Sequence, residues 1–212
     1  MGTPLLVPVT EKTGEYGGVW RRAFLGPADS NNYVRVVFDA LFRFSPDGAK
    51  IEPKIAEAAE PSADYKTWTI KLRKGSKWSD GAPFGADDIL FWYNDVLLNK
   101  DLTPSLPGWI KNPDGTAAKV EKVDDYTVKV IFEKPTPFWA QAFVGTQGMI
   151  IPKHLFADYT GAKSREAPTN LKPVGTGPYK FKEFKPGDLV TGTINTDYHM
   201  PNRPYFDAIE MK

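Results

Sequence analysis

Cysteine is absent from the 212-residue sequence. That absence removes disulfides, thiolate metal sites and cysteine nucleophiles together. It fits a protein that works outside the cytoplasm and avoids stray oxidation, a pattern that cytosolic proteins also show. Histidine is scarce: His154 and His199 are the only 2, with no His-Glu-x-x-His spacing. Each reads as a surface or turn histidine, and no zinc site is expected. Charge of either sign is not in excess, since 27 Lys plus Arg stand against 26 acids for a net +1. A nucleic-acid partner is therefore not expected, because holding phosphate backbones needs a basic surplus. No run of 18 apolar residues exists, so no helix of membrane-spanning length is expected. Met1-Gly2-Thr3 shows no signal-peptide pattern, so export is not readable from the N-terminus.

What is present describes an ordinary globular chain, 41% apolar and 25% charged, with room for one large or two small domains. Aromatics reach 13%, including 6 Trp, and 18 Gly and 19 Pro are scattered as turn formers. There is no internal repeat. Residues 1–15 carry no period and read as a loose arm. Val19 to Phe24 reads as a short strand. Ser30 is placed to cap a helix whose apolar stripe is Val34, Val37, Phe38 and Leu41. Thr67 to Leu72 alternates, with Trp68, Ile70 and Leu72 on one face. Ile89, Trp92, Tyr93, Val96 and Leu97 mark one face of a helix, and residues 99–118 form an excursion rich in Pro, Gly and Asn. Strands are predicted near Val120 to Val123, Tyr126 to Phe132, Tyr179 to Phe184, Leu189 to Ile194 and Ala208 to Met211, with a short helix over Pro137 to Val144. Strands and short helices interleave without regular βαβ spacing, so the fold class is α+β, a mixed β-sheet with flanking helices.

The stretch from Lys77 to Asp88 concentrates acids, with Asp80, Asp87 and Asp88 close together. A calcium loop would need acids at alternate positions and a distal Glu, and neither is there. A carbohydrate hydrolase would need two of these carboxylates facing one cleft, which spacing leaves open. The simpler reading is a corner. Ser79-Asp80-Gly81 turns the chain, Pro83 stiffens it, and Asp87 and Asp88 sit in the first helical turn.

Several motifs carry a resemblance. Trp68-Thr69-Ile70-Lys71-Leu72-Arg73-Lys74-Gly75 is followed by Lys77-Trp78-Ser79-Asp80-Gly81 and Ala86-Asp87-Asp88. Val37-Phe38-Asp39-Ala40-Leu41 and Glu52-Pro53-Lys54-Ile55-Ala56-Glu57 precede them. Val123-Asp124-Asp125-Tyr126, Glu133-Lys134-Pro135-Thr136-Pro137-Phe138, Ile151-Pro152-Lys153-His154-Leu155, Val174-Gly175-Thr176-Gly177-Pro178-Tyr179, Asn195, Tyr198 and Arg203-Pro204-Tyr205-Phe206-Asp207 follow in order. Together they resemble the extracellular solute-binding proteins of family 5, the oligopeptide- and dipeptide-binding components of ABC importers. One departure is Gly85, where the family often carries Thr as the cap.

The resemblance implies a periplasmic-binding-protein-like fold (class II, cluster C), with residues 16–212 as the N-terminal lobe of a two-lobed protein. The chain then reads as a fragment without the second lobe, with weak or no binding alone and a sheet edge available for self-association. The implied partners are a small solute, an oligopeptide or an oligosaccharide, and an ABC permease complex in the membrane. The implied location is periplasmic or anchored at the cell surface. No cofactor and no catalysis are implied. By family position three loops line the cleft: Gly26, Pro27, Ala28 and Asp29; Gly145, Thr146 and Gln147; Gly175, Thr176 and Gly177. Glycines there admit a ligand backbone, or each loop is a plain turn. Trp109 is a fourth candidate, either a stacking platform for a sugar ring or apolar side chain, or a satellite hydrophobic contact. The Gly175–Lys180 run lacks the third glycine of a dinucleotide fingerprint and the Gly-Lys-Ser/Thr of a phosphate loop.

Overall fold

The computed structural model describes residues 14–23, 31–145, 148–185 and 187–212, without the side chains of residues 31–33. Among the described residues the strands are β1 Val19–Arg22, β2 Phe42–Phe44, β3 Ile51–Pro53, β4 Ala56–Pro61, β5 Thr67–Leu72, β6 Lys119–Asp124, β7 Thr127–Ile131, β8 Tyr179–Lys185, β9 Leu189–Ile194 and β10 Ala208–Met211. The α-helices are α1 Asn31–Val37, α2 Ala86–Phe91 and α3 Lys153–Phe156. No helix among them is long and apolar enough to cross a membrane. The chain divides into two compact units, one from Met1–Asp39, Ser76–Pro83 and Pro168–Lys212, the other from Ala40–Gly75 and Phe84–Ala167.

The first unit is built on a mixed sheet in the order β1-β10-β9-β8, with β1 parallel to β10 and the remaining pairs antiparallel. Its core is Val36 and Val37 of α1 packed with Tyr179, Val190, Ile209 and Met211. Burying such side chains is the main force that holds a helix this short in place. The β8–β9 hairpin turns where Asp188 donates its N–H to the Lys185 carbonyl, with Gly187 in the left-handed region at φ +81°. Pro186 and the Ser30 cap lie outside the described residues. Helix α1 stops short of Leu41. The Val37 carbonyl accepts the Gly177 N–H at 2.7 Å, so this end of the helix is satisfied by another segment and the ladder does not continue.

In the second unit, the antiparallel sheet runs β4-β5-β7-β6 beside the hairpin β2-β3. Trp68, Ile70 and Leu72 are buried as the alternation in β5 predicts, and Val128 and Val130 join them from β7. Residues 92–97 continue α2 as a wider helix, in which the Leu98 N–H reaches the Tyr93 carbonyl five residues back. Trp92, Tyr93 and Leu97 are buried by it, and Val96 is half-buried. Strands β2, β3 and β4 were not expected. Each is short or carries acids and alanines in place of an alternating apolar row, so the period-2 signal is weak. The predicted helix over Pro137 to Val144 is a 3₁₀ turn, Trp139–Phe143. The excursion is not featureless: Gly108–Ile110 forms a 3₁₀ turn and buries Ile110.

Candidate functional site

Two of the three clustered acids hold backbone and the third pairs with a lysine. Asp80 is exposed, and its Oδ1 accepts the Ala82 N–H at 3.1 Å within the turn that also joins the Gly81 N–H to the Trp78 carbonyl. The same two-residue reach recurs at Asp47, Asp64, Asp114 and Asp124. These four carboxyls are held below their ordinary range: Ser45, Ser62 and Thr116 hydroxyls do so first at Asp47, Asp64 and Asp114, and the Tyr126 N–H does so at Asp124. Asp88 is buried, and its carboxylate takes the Gly85 N–H and the Lys153 N–H, both at 3.0 Å. It thereby caps α2 and fixes the start of α3. Asp87 is exposed and paired with Lys122, whose ammonium is held above its ordinary value by Asp125 and then Asp87. Gly85 has a spatial reason to lack a side chain, because a Cβ would stand 2.9 Å from the Asp125 carbonyl oxygen.

In the first unit the loop Gly175, Thr176, Gly177 is buried. The Gly175 N–H donates to the Ser79 Oγ at 3.3 Å, and the Gly175 carbonyl accepts the Ser79 N–H at 2.8 Å. Thr176 Oγ1 accepts the Asp39 N–H at 3.3 Å. A Cβ on Gly175 would lie 2.1 Å from the Val37 carbonyl oxygen, and one on Gly177 would lie 2.7 Å from the Val37 carbonyl carbon. The backbone that these two glycines admit in the structure is the last turn of α1. Around them sits a buried polar group that the sequence reading did not assemble. Asn195 donates from Nδ2 to the Gly177 carbonyl at 2.9 Å, and Tyr198 donates its hydroxyl to Asp39 Oδ2 at 3.0 Å. His199, expected at the surface or in a turn, lies in a bend with its side chain 6% exposed against Asp39. Nothing periodic connects Asp39 to a segment 159 positions away; only the ordered motif series joined them. Nearby, Tyr179 donates to the Phe206 carbonyl, and burial followed by the Asp207 charge pushes its phenol up to about 12.

In the second unit Trp109 is half-buried. Its ring lies 5° from parallel with Trp92 at 6.2 Å and meets Phe143 edge-on at 5.1 Å. Trp139 and Phe132 extend this group of rings. Gly145 follows Phe143 by two residues and accepts the Gly148 N–H at 3.0 Å. The structure therefore brings Trp109 and the approach to Gly145 together through Phe143. Gly26, Pro27, Ala28, Asp29, Thr146 and Gln147 lie outside the described residues. A groove of about 510 Å³ in this unit is lined by Glu57, Lys71, Lys74, Asp124, Asp125 and Tyr126, and contains none of the candidates. Among the described residues no group of three or more metal-ligating side chains converges.

Comparison with known proteins agrees with this architecture. The chain matches the model for bacterial extracellular solute-binding proteins, family 5 middle, over residues 50–212. It is 29% identical over 196 residues to di/tripeptide-binding protein 1 of Pseudomonas aeruginosa (strain UCBPP-PA14), covering 85% of this chain and 36% of that protein. It is 31% identical over 141 residues to the periplasmic alpha-galactoside-binding protein of Rhizobium meliloti (strain 1021), covering 58% of this chain and 20% of that protein. The solved structure of oligopeptide-binding protein OppA superposes with a TM-score of 0.83 at 28% identity, over 99% of this chain and 37% of that one. The chain thus spans about a third of the length of the first curated relatives, 36%, 29% and 32%. The α+β, periplasmic-binding-protein-like fold expected from the motifs is the fold found. With more than half of its length matched by one family model, the chain belongs to the bacterial extracellular solute-binding proteins of family 5.

Proposed function

We propose that this chain serves in the solute-capturing component of an ABC importer, with residues 16–212 as the N-terminal lobe of a two-lobed trap that works in the periplasm or at the cell surface. The observation that carries the reading is the family match over residues 50–212. In such a trap a ligand in the cleft touches both lobes and shifts the population toward the closed form. The grip comes from shape and amide contacts, and energy for uptake comes from the importer's ATPase. The acids Asp80, Asp87 and Asp88 support this over hydrolysis, because each is engaged with backbone or with Lys122. The candidate ligand contacts are the Trp109 ring and the Gly145–Gln147 loop in one unit and the Gly26–Asp29 and Gly175–Gly177 loops in the other.

The cargo is a short peptide, in line with the di/tripeptide- and oligopeptide-binding relatives. A second reading, an oligosaccharide, is favoured by the stacked pair Trp92 and Trp109, since an indole face also suits a sugar ring. Calorimetric titration of the complete gene product with di- and tripeptides, and in parallel with α-galactosides, tests both. Peptide binding at micromolar concentration supports the first reading and galactoside binding alone the second. Heat from neither, with intact folding, overturns the proposal.

A further inference from the structure

We propose that the charged groove at one end of the β4-β5-β7-β6 sheet is a binding site for a small zwitterion, a free amino acid or a dipeptide. The groove holds none of the residues offered above as ligand contacts, and all of its lining belongs to the second unit. Its volume of about 510 Å³ falls among small-molecule sites, roughly 300–1,000 Å³. Leu72 in its lining is buried, Tyr126 and Thr127 are half-buried, and the charged residues around them are exposed. Two irregularities of strand pairing shape this end of the sheet. Ala56 pairs with Leu72 and Ala58 with Lys71, so Glu57 is an extra residue with no partner on β5. Lys122 pairs with Val128 and Asp124 with Thr127, so Val123 is extra on β6 in the same way. Between them lie β5 and β7, with Lys71 opposite Thr127. A bulge bends its strand and re-aims a side chain, and bulges are frequent next to active sites. Glu57, which one bulge sets apart, lines the groove.

Most of the charges in the lining are already engaged. Lys71 is paired with Glu60 at 2.7 Å, and Asp125 with Lys122 at 2.8 Å. Asp124 accepts the Tyr126 N–H at 2.8 Å, and the Lys74 charge acts on it without an ion pair. Glu57 acts on the Arg73 guanidinium in the same way, through its field. Among the described residues, neither Glu57 nor Lys74 has an ion-pair partner. One carboxylate and one ammonium in the same groove are thus left for a ligand. A molecule with both charges answers both, its ammonium at Glu57 and its carboxylate at Lys74. A singly charged molecule answers one and leaves the other as it was. Leu72 and the Tyr126 ring give apolar surface for the stem between the two charges. Both charged side chains are exposed, and ion pairs at such sites gain little, so the groove suits weak binding with a gain of a few-fold per charge.

Chemical-shift titration of the 212-residue chain with alanylalanine, followed at the backbone amides of Glu57, Lys74, Tyr126 and Thr127, tests the site. N-acetyl-alanylalanine lacks the ammonium, and alanylalanine amide lacks the carboxylate. The zwitterion should shift these amides and bind about threefold more tightly than either analogue. Glu57→Gln should erase the advantage over the acetylated peptide and keep the advantage over the amide; Lys74→Gln should do the reverse. Both positions are exposed, so both variants should keep the wild-type circular dichroism spectrum. Equal binding of the three peptides overturns the assignment. So does an advantage that survives in its matching folded variant, or shifts confined to residues outside the groove.

Discussion

Replacing Gly175 by alanine tests why the Gly175–Gly177 loop is built as it is. The new methyl would stand 2.1 Å from the Val37 carbonyl oxygen, 2.7 Å from its carbon and 2.9 Å from Val37 Cγ1. Two of these atoms are backbone, so no rotamer change relieves the contact. Relief needs a shift of about 1 Å between the loop and the end of α1, and overpacking of this kind costs about 1–3 kcal/mol. The same shift stretches the 2.7 Å bond from the Gly177 N–H to the Val37 carbonyl. Losing a hydrogen bond between buried groups adds about 1 kcal/mol or more. The expected loss is therefore about 2–4 kcal/mol, a large part of the stability of an ordinary domain. Gly108→Ala is the control, because its Cβ would meet nothing within 4 Å and its φ is not in the left-handed region. Urea unfolding followed by far-UV circular dichroism and by tryptophan fluorescence measures both variants. A Gly175→Ala protein within about 0.5 kcal/mol of wild type would refute the packing argument, being no larger than the effect of an ordinary surface change.

Asp88→Ala should destabilise by about 2–4 kcal/mol in the same assay, since it strands the Gly85 and Lys153 amides. Asp87→Ala should stay within about 0.5 kcal/mol as an exposed ion-pair partner, and equal losses for the two would contradict these roles. Trp109→Ala should cost about 2 kcal/mol through its lost contacts with Trp92 and Phe143 and should change the near-UV circular dichroism; an unchanged spectrum would deny the ring cluster. Tyr179, raised to about 12, contributes stability that is intact below the ordinary phenol value and declines as pH rises toward 12. Absorbance titration at alkaline pH should lose one late phenol in Tyr179→Phe, and loss of an early one would contradict its burial.

Legibility in the sequence followed the strength of the local signal. β5 and β7 were readable because one face of each is buried and the other solvated, so their apolar residues alternate. β4 was not, because Ala56, Ala58 and Ala59 with Glu57 and Glu60 give no alternation, and a register shift lies between Ala56 and Ala58. The acids around Asp80 were readable as turn and cap chemistry, because that chemistry is local. The division into two units was hidden by its discontinuity: Ser76–Pro83 folds with the ends of the chain, while Phe84 onward folds with the other unit. The cluster of Asp39, Asn195, Tyr198 and His199 was hidden for the same reason, since only the sheet order brings these segments together. At Gly175 and Gly177 the sequence announced close backbone approach but not whose backbone it is.

In the proposed two-lobed trap, each lobe grips cargo only in concert with the other. A ligand held at about 1 μM by two lobes carries about 8 kcal/mol, and half of that corresponds to a dissociation constant of about 1 mM. Calorimetric titration of the 212-residue chain and of the complete gene product with the same peptide measures the difference directly. Micromolar binding by the complete product and roughly thousandfold weaker binding by the chain alone are expected. Equal, tight binding by both would contradict it.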